Sequence, residues 1–444
     1  MGEGESDPPR QGVQAGLARR TFVGFRADMV GAASMLVTAI VVARALGPTD
    51  RGLYFLVFLA SMLIALVADA GMSTTSLVYG GNREIPSRQL HGVAVAASAV
   101  AALLTAALLL PLESFWTEGV LNGLDTTLLA IIAGSILPLL YAQIVVALLT
   151  GMGHVPEVSA VRVGQSVLYP VLVIPAAVVT ADPRWTAAAW LAATAVYAVA
   201  LGVYALRFAG PPAIPTAETA RTVASFGGRS YVGSLSYQGF LRVDVLFLSA
   251  RYGPSVVGVY SLAAIVAERI GVAGFAMYGA TAEAVAQGGP EAARLTSLTT
   301  RLMLAVLIPL AVMLGLLAAP GFSLVFGEDF ADAALPFVIL LPGTIALVCW
   351  HFMSLYIVSA LRRPGTTTLI QGTALLVSLP LYWFAVKEAE MTGAAIVSAG
   401  TYLVLFAAGV SVFLRASGLP LRELVPGRRE AARIAATLRA AIAR

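Results

Sequence analysis

The stretch ARALGPTDRGLY, residues 43–54, has a counterpart later in the chain, SARYGPSVVGVY, residues 249–260. The shared residues are Gly, Pro, Gly and Tyr, at positions 47, 48, 52 and 54 and again at 253, 254, 258 and 260. Gly-Pro interrupts a helix, and the later glycine lets the returning helix start close to its neighbour. Each copy therefore predicts a tight turn between two helices, and together they predict an internal repeat.

The sequence around these turns is too apolar for a soluble enzyme. Hydrophobic residues make up 59% and charged residues 12% of the chain, whereas a soluble domain is about 25% charged. The apolar blocks run for about 18–25 residues, enough for a helix to cross a membrane, and the alternation typical of a transmembrane barrel is missing. We predict twelve spans, near 23–45, 52–72, 90–111, 127–149, 157–179, 185–206, 225–250, 255–280, 301–325, 333–359, 366–386 and 391–414.

Six spans in each half give the two halves the same orientation, so the repeat is parallel. Parallel repeats are typical of transporters that rock two bundles around a central cavity. We therefore predict an all-α polytopic membrane protein, with two six-helix lobes around such a cavity. The predicted segments are an N-terminal segment 1–22, an N-lobe 23–209, a linker 210–224, a C-lobe 225–415 and a basic tail 416–444.

The distribution of basic residues predicts the orientation. With the N-terminus inside, cytoplasmic segments hold 19 of the 28 basic residues and external loops hold five. This bias predicts that both termini are cytoplasmic. The 27 arginines against a single lysine are typical of a high-GC bacterial genome, so we expect the bacterial inner membrane. In the tail, Ile434, Leu438 and Ile442 indicate an amphipathic helix on the inner leaflet; the alternative is a mobile tail that only fixes orientation.

Three stretches resemble the bacterial polysaccharide (oligosaccharide-lipid) flippases. They are ARALGPTDRGLYFLVFLASMLIALVADAGM at 43–72, LRVDVLFLSARYGPSVVGVYSLAA at 241–264 and ALRRPGTTTLIQGTALLVSLPLYWFAVKEAEMTGAAIVSAGTYLV at 360–404. The motifs identify the multidrug/oligosaccharidyl-lipid/polysaccharide exporter superfamily better than they identify a substrate. The resemblance implies alternating access and export of a sugar chain linked to polyprenyl pyrophosphate. It also implies contact with membrane lipids, a coupling cation or proton, and a polysaccharide polymerase or glycosyltransferases as neighbours.

Charged residues inside the spans are the candidate site residues, because a charge at mid-bilayer costs about 2.5–3.5 kcal/mol on insertion scales. Glu268 and Arg269 lie near the centre of span 8 and point about 100° apart, so they do not pair with each other. One interpretation is a cavity cation for an anionic substrate beside a titrating carboxylate. The alternative is an interhelical bridge to Arg242 or Asp244 in span 7.

The other intramembrane charges lie near the cytoplasmic face, where snorkelling is easy. We predict that Arg26 and Arg162 bind substrate with Arg269 and Arg242, because a lipid pyrophosphate enters from this side and arginine suits phosphate oxygens. Asp28 and Asp69, with Glu268 and Asp244, are the candidate ion-coupling or pairing carboxylates. The alternative for Asp28 and Asp69, which we favour, is a structural role, with Arg26 and Asp69 neutralising each other across spans 1 and 2.

The sequence leaves several alternatives to the flippase function. Within the same fold they are a lipid-linked peptidoglycan precursor flippase and a cation-coupled drug exporter. A membrane polysaccharide polymerase or ligase usually needs a long external loop that carries catalytic residues. Here no predicted external segment exceeds about 15 residues, the upper end of ordinary connections. The sequence contains no phosphate-binding loop, no dinucleotide fingerprint and no zinc-protease motif, so we expect no enzyme activity, no cofactor, no metal and no nucleic acid partner.

Overall fold

The computed structural model describes residues 9–427, with side chains from residue 31 onward except at 229, 230, 232, 234, 240, 273, 275, 276 and 280. This part of the chain contains fourteen α-helices and no strand. The helices are α1 Pro9–Asp69, α2 Met72–Asn82, α3 Ser87–Leu109, α4 Glu113–Thr117, α5 Thr126–Gly151, α6 Val155–Thr180, α7 Pro183–Phe208, α8 Ala217–Tyr252, α9 Pro254–Arg269, α10 Val272–Ala286, α11 Gly289–Leu316, α12 Ala318–Phe326, α13 Ala334–Leu355 and α14 Pro364–Ser417. Short 3-10 helices cover Glu328–Ala333 and Leu421–Leu424, and a π-helical turn covers Tyr356–Ala360.

Breaks inside and between helices relate these elements to the predicted spans. α1 is interrupted at Gly47 and α14 at Ala389 and Glu390, so each supplies two crossings. Eight helices in the described part are long and apolar enough to cross a membrane, these two among them. With α8 and the consecutive pair α9 and α10, the arrangement is consistent with twelve crossings. The predicted polytopic all-α class is confirmed, and the helices are consistent with the predicted two lobes of six crossings; we call α1–α7 the N-lobe and α8–α14 the C-lobe.

Several predicted boundaries differ from the observed ones. Span 9 was expected at 301–325, but α11 starts at Gly289 and ends at Leu316, and α12 is a separate helix. α8 begins at Ala217, inside the predicted linker, because Thr216 caps it: the Oγ1 of Thr216 accepts a hydrogen bond from the backbone N–H of Thr219 at 3.2 Å. The predicted amphipathic helix of the tail lies outside the described residues.

The two Gly-Pro turns adopt the same backbone conformation and pack against each other. Gly47 has φ 70° and ψ 179°, and Gly253 has φ 79° and ψ −169°, a combination that favours glycine strongly. A methyl group on Gly52 would overlap the carbonyl oxygen of Pro254, and one on Gly258 would overlap that of Pro48. The contact between α1 and α9 is thus reciprocal, as a two-fold relation between the lobes requires. We call this end of the bundle the Gly-Pro end.

The lobes also touch at the opposite end, through α2 and α8. A methyl group on Gly71 would overlap the backbone of Gly227. The hydroxyl of Tyr231 donates to the carbonyl oxygen of Val67 at 3.0 Å, and the rings of Tyr79 and Phe226 meet edge to face at 5.4 Å. The N-lobe and C-lobe are therefore in contact at both ends of the bundle.

Candidate functional site

The break in span 8 places two predicted site residues at a helix end halfway along the span. α9 ends at Arg269, and its last turn tightens because the N–H of Gly271 donates to the carbonyl oxygen of Glu268 at 3.0 Å. α10 then restarts at Val272. A cation in the last turn of a helix is favoured by the partial negative charge of the carbonyl oxygens there, so this position suits Arg269.

Glu268 is engaged by Arg242 of the neighbouring helix α8. The two guanidinium nitrogens of Arg242 donate to the two carboxylate oxygens of Glu268 at 2.6 and 2.9 Å. Two parallel charge-assisted hydrogen bonds of this kind form the strongest arginine–carboxylate geometry. The pair is the interhelical bridge that the sequence left open as an alternative, and it occupies the guanidinium of Arg242.

Arg269 points the other way, towards the N-lobe. Its Nη2 lies 3.8 Å from the sulfur of Met35 in α1. Its Nε is buried and has no hydrogen-bond partner among the residues that the structure describes. Buried guanidinium donors are normally satisfied, so Arg269 presents unused hydrogen-bond donors and a positive charge at the interface between the lobes.

Asp244 lies within a network of hydroxyl groups inside the C-lobe. One carboxylate oxygen accepts hydrogen bonds from the hydroxyls of Tyr260 at 2.6 Å and Ser398 at 3.0 Å. The other accepts from the backbone N–H of Val245 at 2.8 Å. Ser398 is in turn within 2.9 Å of the hydroxyl of Tyr382. This network joins α8, α9 and both arms of α14, and it leaves the carboxylate well supplied with donors.

The remaining predicted charges lie in three different settings. Asp69 caps the break after α1, where its side chain accepts from the N–H of Gly71 at 3.1 Å and from the hydroxyl of Ser73 at 2.5 Å. Arg162 of α6 is hydrogen-bonded to Tyr197 of α7. The side chains of Arg26 and Asp28 lie outside the described part of the structure.

Arg51 was missed as a site residue, because the sequence places it in a loop. Its side chain is only 4% exposed. It donates to the carbonyl oxygen of Gly258 and, at 2.8 Å, to the hydroxyl of Ser261, both in α9 of the other lobe. The ring of Phe330 lies 5.9 Å from the guanidinium carbon. One signal was available: the repeat aligns Arg51 with Val257, so only one copy has a charge at this position.

A cavity of about 60 Å³ lies between the lobes next to Arg51. Its lining includes Met35, Thr38, Tyr54 and Tyr169, with Ile265 from the C-lobe. A water molecule occupies about 30 Å³ in the liquid, so the cavity has room for about two waters. A sugar is too large for this cavity while the lobes are in contact.

An apolar groove of about 900 Å³ runs between the two arms of α14. Its walls include Leu369, Val377, Leu381, Ile396 and Val404, and Glu388 lies on its rim. The first arm of α14 packs closely on α8: a methyl group on Gly239 would lie 3.1 Å from the Leu375 side chain. The groove is therefore one helix away from the interface between the lobes.

Among the described site residues, the carboxylates have strong hydrogen-bond donors, whereas two of the arginines have no carboxylate partner. The three predicted carboxylates whose side chains are described, Glu268, Asp244 and Asp69, all accept strong hydrogen bonds. Among the described residues, Arg51 and Arg269 form no ion pair. The charge that is not neutralised at the lobe interface is thus positive, which suits an anionic ligand rather than a cationic one. No group of His, Cys, Asp or Glu suited to a metal ion occurs in the described part.

Solved structures of two kinds of membrane transporter share this fold. The lipid II flippase MurJ, in its inward closed conformation, matches with a TM-score of 0.73 and 12% identity, over 92% of this chain and 89% of that chain. A mutant of the MATE transporter VcmN from Vibrio cholerae matches with 0.64 and 16%, over 92% and 99%. An inward-facing multidrug resistance MATE family transporter of the MOP superfamily matches with 0.67 and 15%, over 86% and 93%.

The sequence itself matches one family. The profile of the family described as polysaccharide biosynthesis protein covers residues 17–282, more than half of the chain. No individual curated protein matches the sequence. The chain therefore belongs to the polysaccharide biosynthesis protein family and has the fold of the MOP superfamily of transporters, which confirms the resemblance identified from its motifs.

Proposed function

We propose that this member of the polysaccharide biosynthesis family is a flippase, which moves a lipid-linked oligosaccharide from the inner to the outer leaflet by alternating access. The observation that carries the proposal is Arg269, a cation at the lobe interface whose Nε has no partner among the described residues. A pyrophosphate group is the part of such a substrate that needs a cation, and arginine binds phosphate oxygens in a fixed, planar geometry. Arg269 thus serves as the headgroup site.

The groove of α14 supports a lipid-bearing substrate. Its walls are almost entirely apolar, and the helix that forms them packs on α8. A lipid tail resting there keeps its methylene groups out of water while the sugar crosses between the lobes. The arrangement needs the two ends of the bundle to open in turn, and we take the Gly-Pro end as the external one, as the arginine distribution predicts.

A cation-coupled drug exporter is less well supported, because the described carboxylates already accept hydrogen bonds from protein donors. MurJ, with the same fold, is a lipid II flippase, and a peptidoglycan precursor therefore remains the second candidate substrate. The two lipid-linked substrates share the pyrophosphate headgroup chemistry. They differ in the sugar, which the cell assay below identifies.

The test follows the substrate in a strain that lacks this protein. We expect labelled lipid-linked oligosaccharide to accumulate on the inner leaflet, and wild-type protein to restore export. R269Q should restore it at least about tenfold less well, since a hydrogen bond to a charged group is worth about 1.5–3 kcal/mol. R269K should be intermediate, because lysine keeps the charge and loses the planar fork.

The matched control is R184Q. Arg184 is exposed at the Gly-Pro end and pairs with Asp125 of its own lobe at 2.5 Å, so its loss should leave export at the wild-type level. Export by R269Q equal to that by R184Q would contradict the headgroup site. Accumulation of a peptidoglycan precursor instead of a polysaccharide precursor would establish the second candidate substrate. Altered drug sensitivity with no accumulation of either precursor would exclude both flippase functions.

A further inference from the structure

We propose that the hydrogen bonds of Arg51 to Gly258 and Ser261 keep the contact between α1 and α9 closed at the Gly-Pro end. We call this contact the gate and Arg51 its latch. We further propose that a phosphate-bearing headgroup opens the gate by drawing the Arg51 guanidinium away from the other lobe. The identity of the ligand rests on the proposed function, whereas the latch does not.

Arg51 connects the two lobes at the point where their backbones are closest. It lies one residue before Gly52, which contacts the Pro254 carbonyl oxygen. Its Nη1 donates to the Gly258 carbonyl oxygen and the Ser261 hydroxyl. Any separation of α1 from α9 at this end must break both hydrogen bonds, so they resist opening directly.

Packing alone does not require an arginine at this position. The repeat places Val257 at the equivalent point of the other lobe, where it is completely buried. The same reciprocal contact is therefore formed by an apolar side chain on one side and by a cation on the other. Burying a guanidinium is costly unless it is well paired, so the charge at Arg51 calls for a functional explanation.

The partners of Arg51 are neutral, and this makes them exchangeable. Its acceptors are a carbonyl oxygen and a hydroxyl group, and it forms no ion pair with a described residue. A phosphate oxygen adds the attraction of an ion pair and matches the planar guanidinium fork, and neither neutral acceptor offers both. A phosphate oxygen that reaches Arg51 therefore replaces the Gly258 and Ser261 acceptors, and the lobes lose the bonds that close this end.

A ligand held by Arg269 is close to such a position. Met35 contacts Arg269 and also lines the cavity beside Arg51. Along α9, Ser261 and Arg269 are separated by about 12 Å at the rise of an α-helix, comparable to the reach of a sugar pyrophosphate with a flexible side chain at each end. The two cations thus mark successive positions of one anionic headgroup on its way to the Gly-Pro end.

The latch is tested by thiol accessibility, independently of transport. The chain has one cysteine, the buried Cys349, which is replaced by alanine. T38C then introduces a thiol in the lining of the cavity, where Thr38 is 1% exposed. In proteoliposomes, a membrane-impermeant maleimide should label T38C slowly, and R51Q should raise the rate at least about tenfold, the effect of losing one hydrogen bond to a charged group.

Variants of Ser261 test the same bond from the other lobe, and they keep the test valid if R51Q does not fold. S261A should raise the labelling rate by less than R51Q, since one of the two acceptors remains. S261D supplies a carboxylate to Arg51 and should lower the rate below that of the unaltered gate. R184Q is the control and should leave the rate unchanged. The latch would be overturned if T38C were labelled at the same rate with R51Q as with R184Q. It would also be overturned if S261D raised the labelling rate above that of the protein with Ser261 intact.

The ligand step is tested with farnesyl pyrophosphate as the probe and farnesol as its uncharged counterpart. Farnesyl pyrophosphate should accelerate labelling of T38C when Arg51 is present, and R51K should keep part of the response. R51Q and S261D should not respond. Equal effects of farnesol and farnesyl pyrophosphate would overturn the anion-triggered step. Failure of the proposed function appears elsewhere, as a deletion strain without accumulated lipid-linked oligosaccharide while the labelling results stand.

Discussion

At the scale of single residues, the pairing of Arg242 with Glu268 decides what the neighbouring charge is able to do. The bidentate bridge occupies the carboxylate of Glu268, so Arg269, one residue further along, has no ion-pair partner among the described residues. Had Glu268 turned to Arg269, the lobe interface would hold a neutral pair and no anion site. A pairing inside the C-lobe therefore controls the electrostatics between the lobes.

This view predicts a characteristic pattern in stability. E268Q and R242Q each leave one charge without its partner, which costs about 3–5 kcal/mol for a fully buried pair. The side chain of Arg242 is 17% exposed and that of Glu268 is 28% exposed, so we expect the lower end of that range. The double variant should be less destabilised than the sum of the singles, because no unpaired charge remains. Thermal unfolding in detergent measures all three.

The comparison pair for this cycle is Arg184 and Asp125, whose side chains are 55% and 35% exposed. R184Q and D125N should each change stability by about 0–1 kcal/mol, because asparagine keeps the N-cap hydrogen bond that Asp125 accepts from the Leu128 N–H. Additive effects of E268Q and R242Q would contradict a coupled bridge. Single-variant losses as small as those of the exposed pair would show that the bridge is not structurally important.

The sequence located most of these charges but not their partners. Their depth follows from counting along an apolar span, whereas the choice of partner depends on helix rotation and on the break after Arg269. Arg51 was assigned to a loop because it follows Gly-Pro, although the helix resumes directly at Pro48. Its burial comes from the opposite lobe, a contact that no local pattern contains.

At the scale of elements, the contact between α1 and α9 depends on two glycines. Gly52 and Gly258 each face a backbone carbonyl oxygen of the other helix, and a carbonyl group of the main chain moves only with its whole helix. A side chain of any size at either position must push the helices apart. Small residues have the same role wherever membrane helices pack closely.

We predict that G52A destabilises the protein by more than the roughly 1–3 kcal/mol typical of overpacking, because the atom it meets belongs to the backbone. G164A in α6 is the matched control: a methyl group there enters open space. It should be neutral or stabilising by up to about 1 kcal/mol, the helix-propensity difference. Thermal midpoints that agree between G52A and G164A would exclude the close contact.

The turns were predictable, whereas the helix α2 after span 2 and the break within span 8 were not. Gly-Pro is an unambiguous local signal, and it appears twice in the same context. The breaks at Gly71 and Gly271 fall on single glycines inside apolar sequence, and glycine is common in intact transmembrane helices. Only the packing of α2 on α8, and of α10 beside α13, distinguishes these glycines from the others.

At the scale of the whole molecule, the arginine distribution makes a prediction about sidedness that the fold does not make. Both termini should be cytoplasmic, because 19 of the 28 basic residues then lie inside and cytoplasmic loops carry the excess of Lys and Arg. Alkaline phosphatase fused after residue 427 should be inactive, and a fluorescent protein there should be bright. The same phosphatase fused after Ala181, between α6 and α7, should be active.

An active phosphatase at residue 427 would reverse the assignment, and the Gly-Pro end would become the cytoplasmic one. Apolar spacing and the repeat were sufficient to predict two like-oriented six-helix lobes. The closure of both ends was beyond the sequence, because it arises from contacts between lobes more than 150 residues apart, such as Tyr231 with Val67.

The reciprocal packing of the Gly-Pro turns has a consequence for how such a protein arises. A contact in which position 52 meets 254 and position 258 meets 48 uses the same two surfaces from each partner. One six-helix unit bearing this turn is therefore self-complementary, and two separate copies in one orientation would seal against each other as a homodimer. Joining two such units in one polypeptide would preserve that seal and leave each copy free to differ, as they do at Arg51 and Val257.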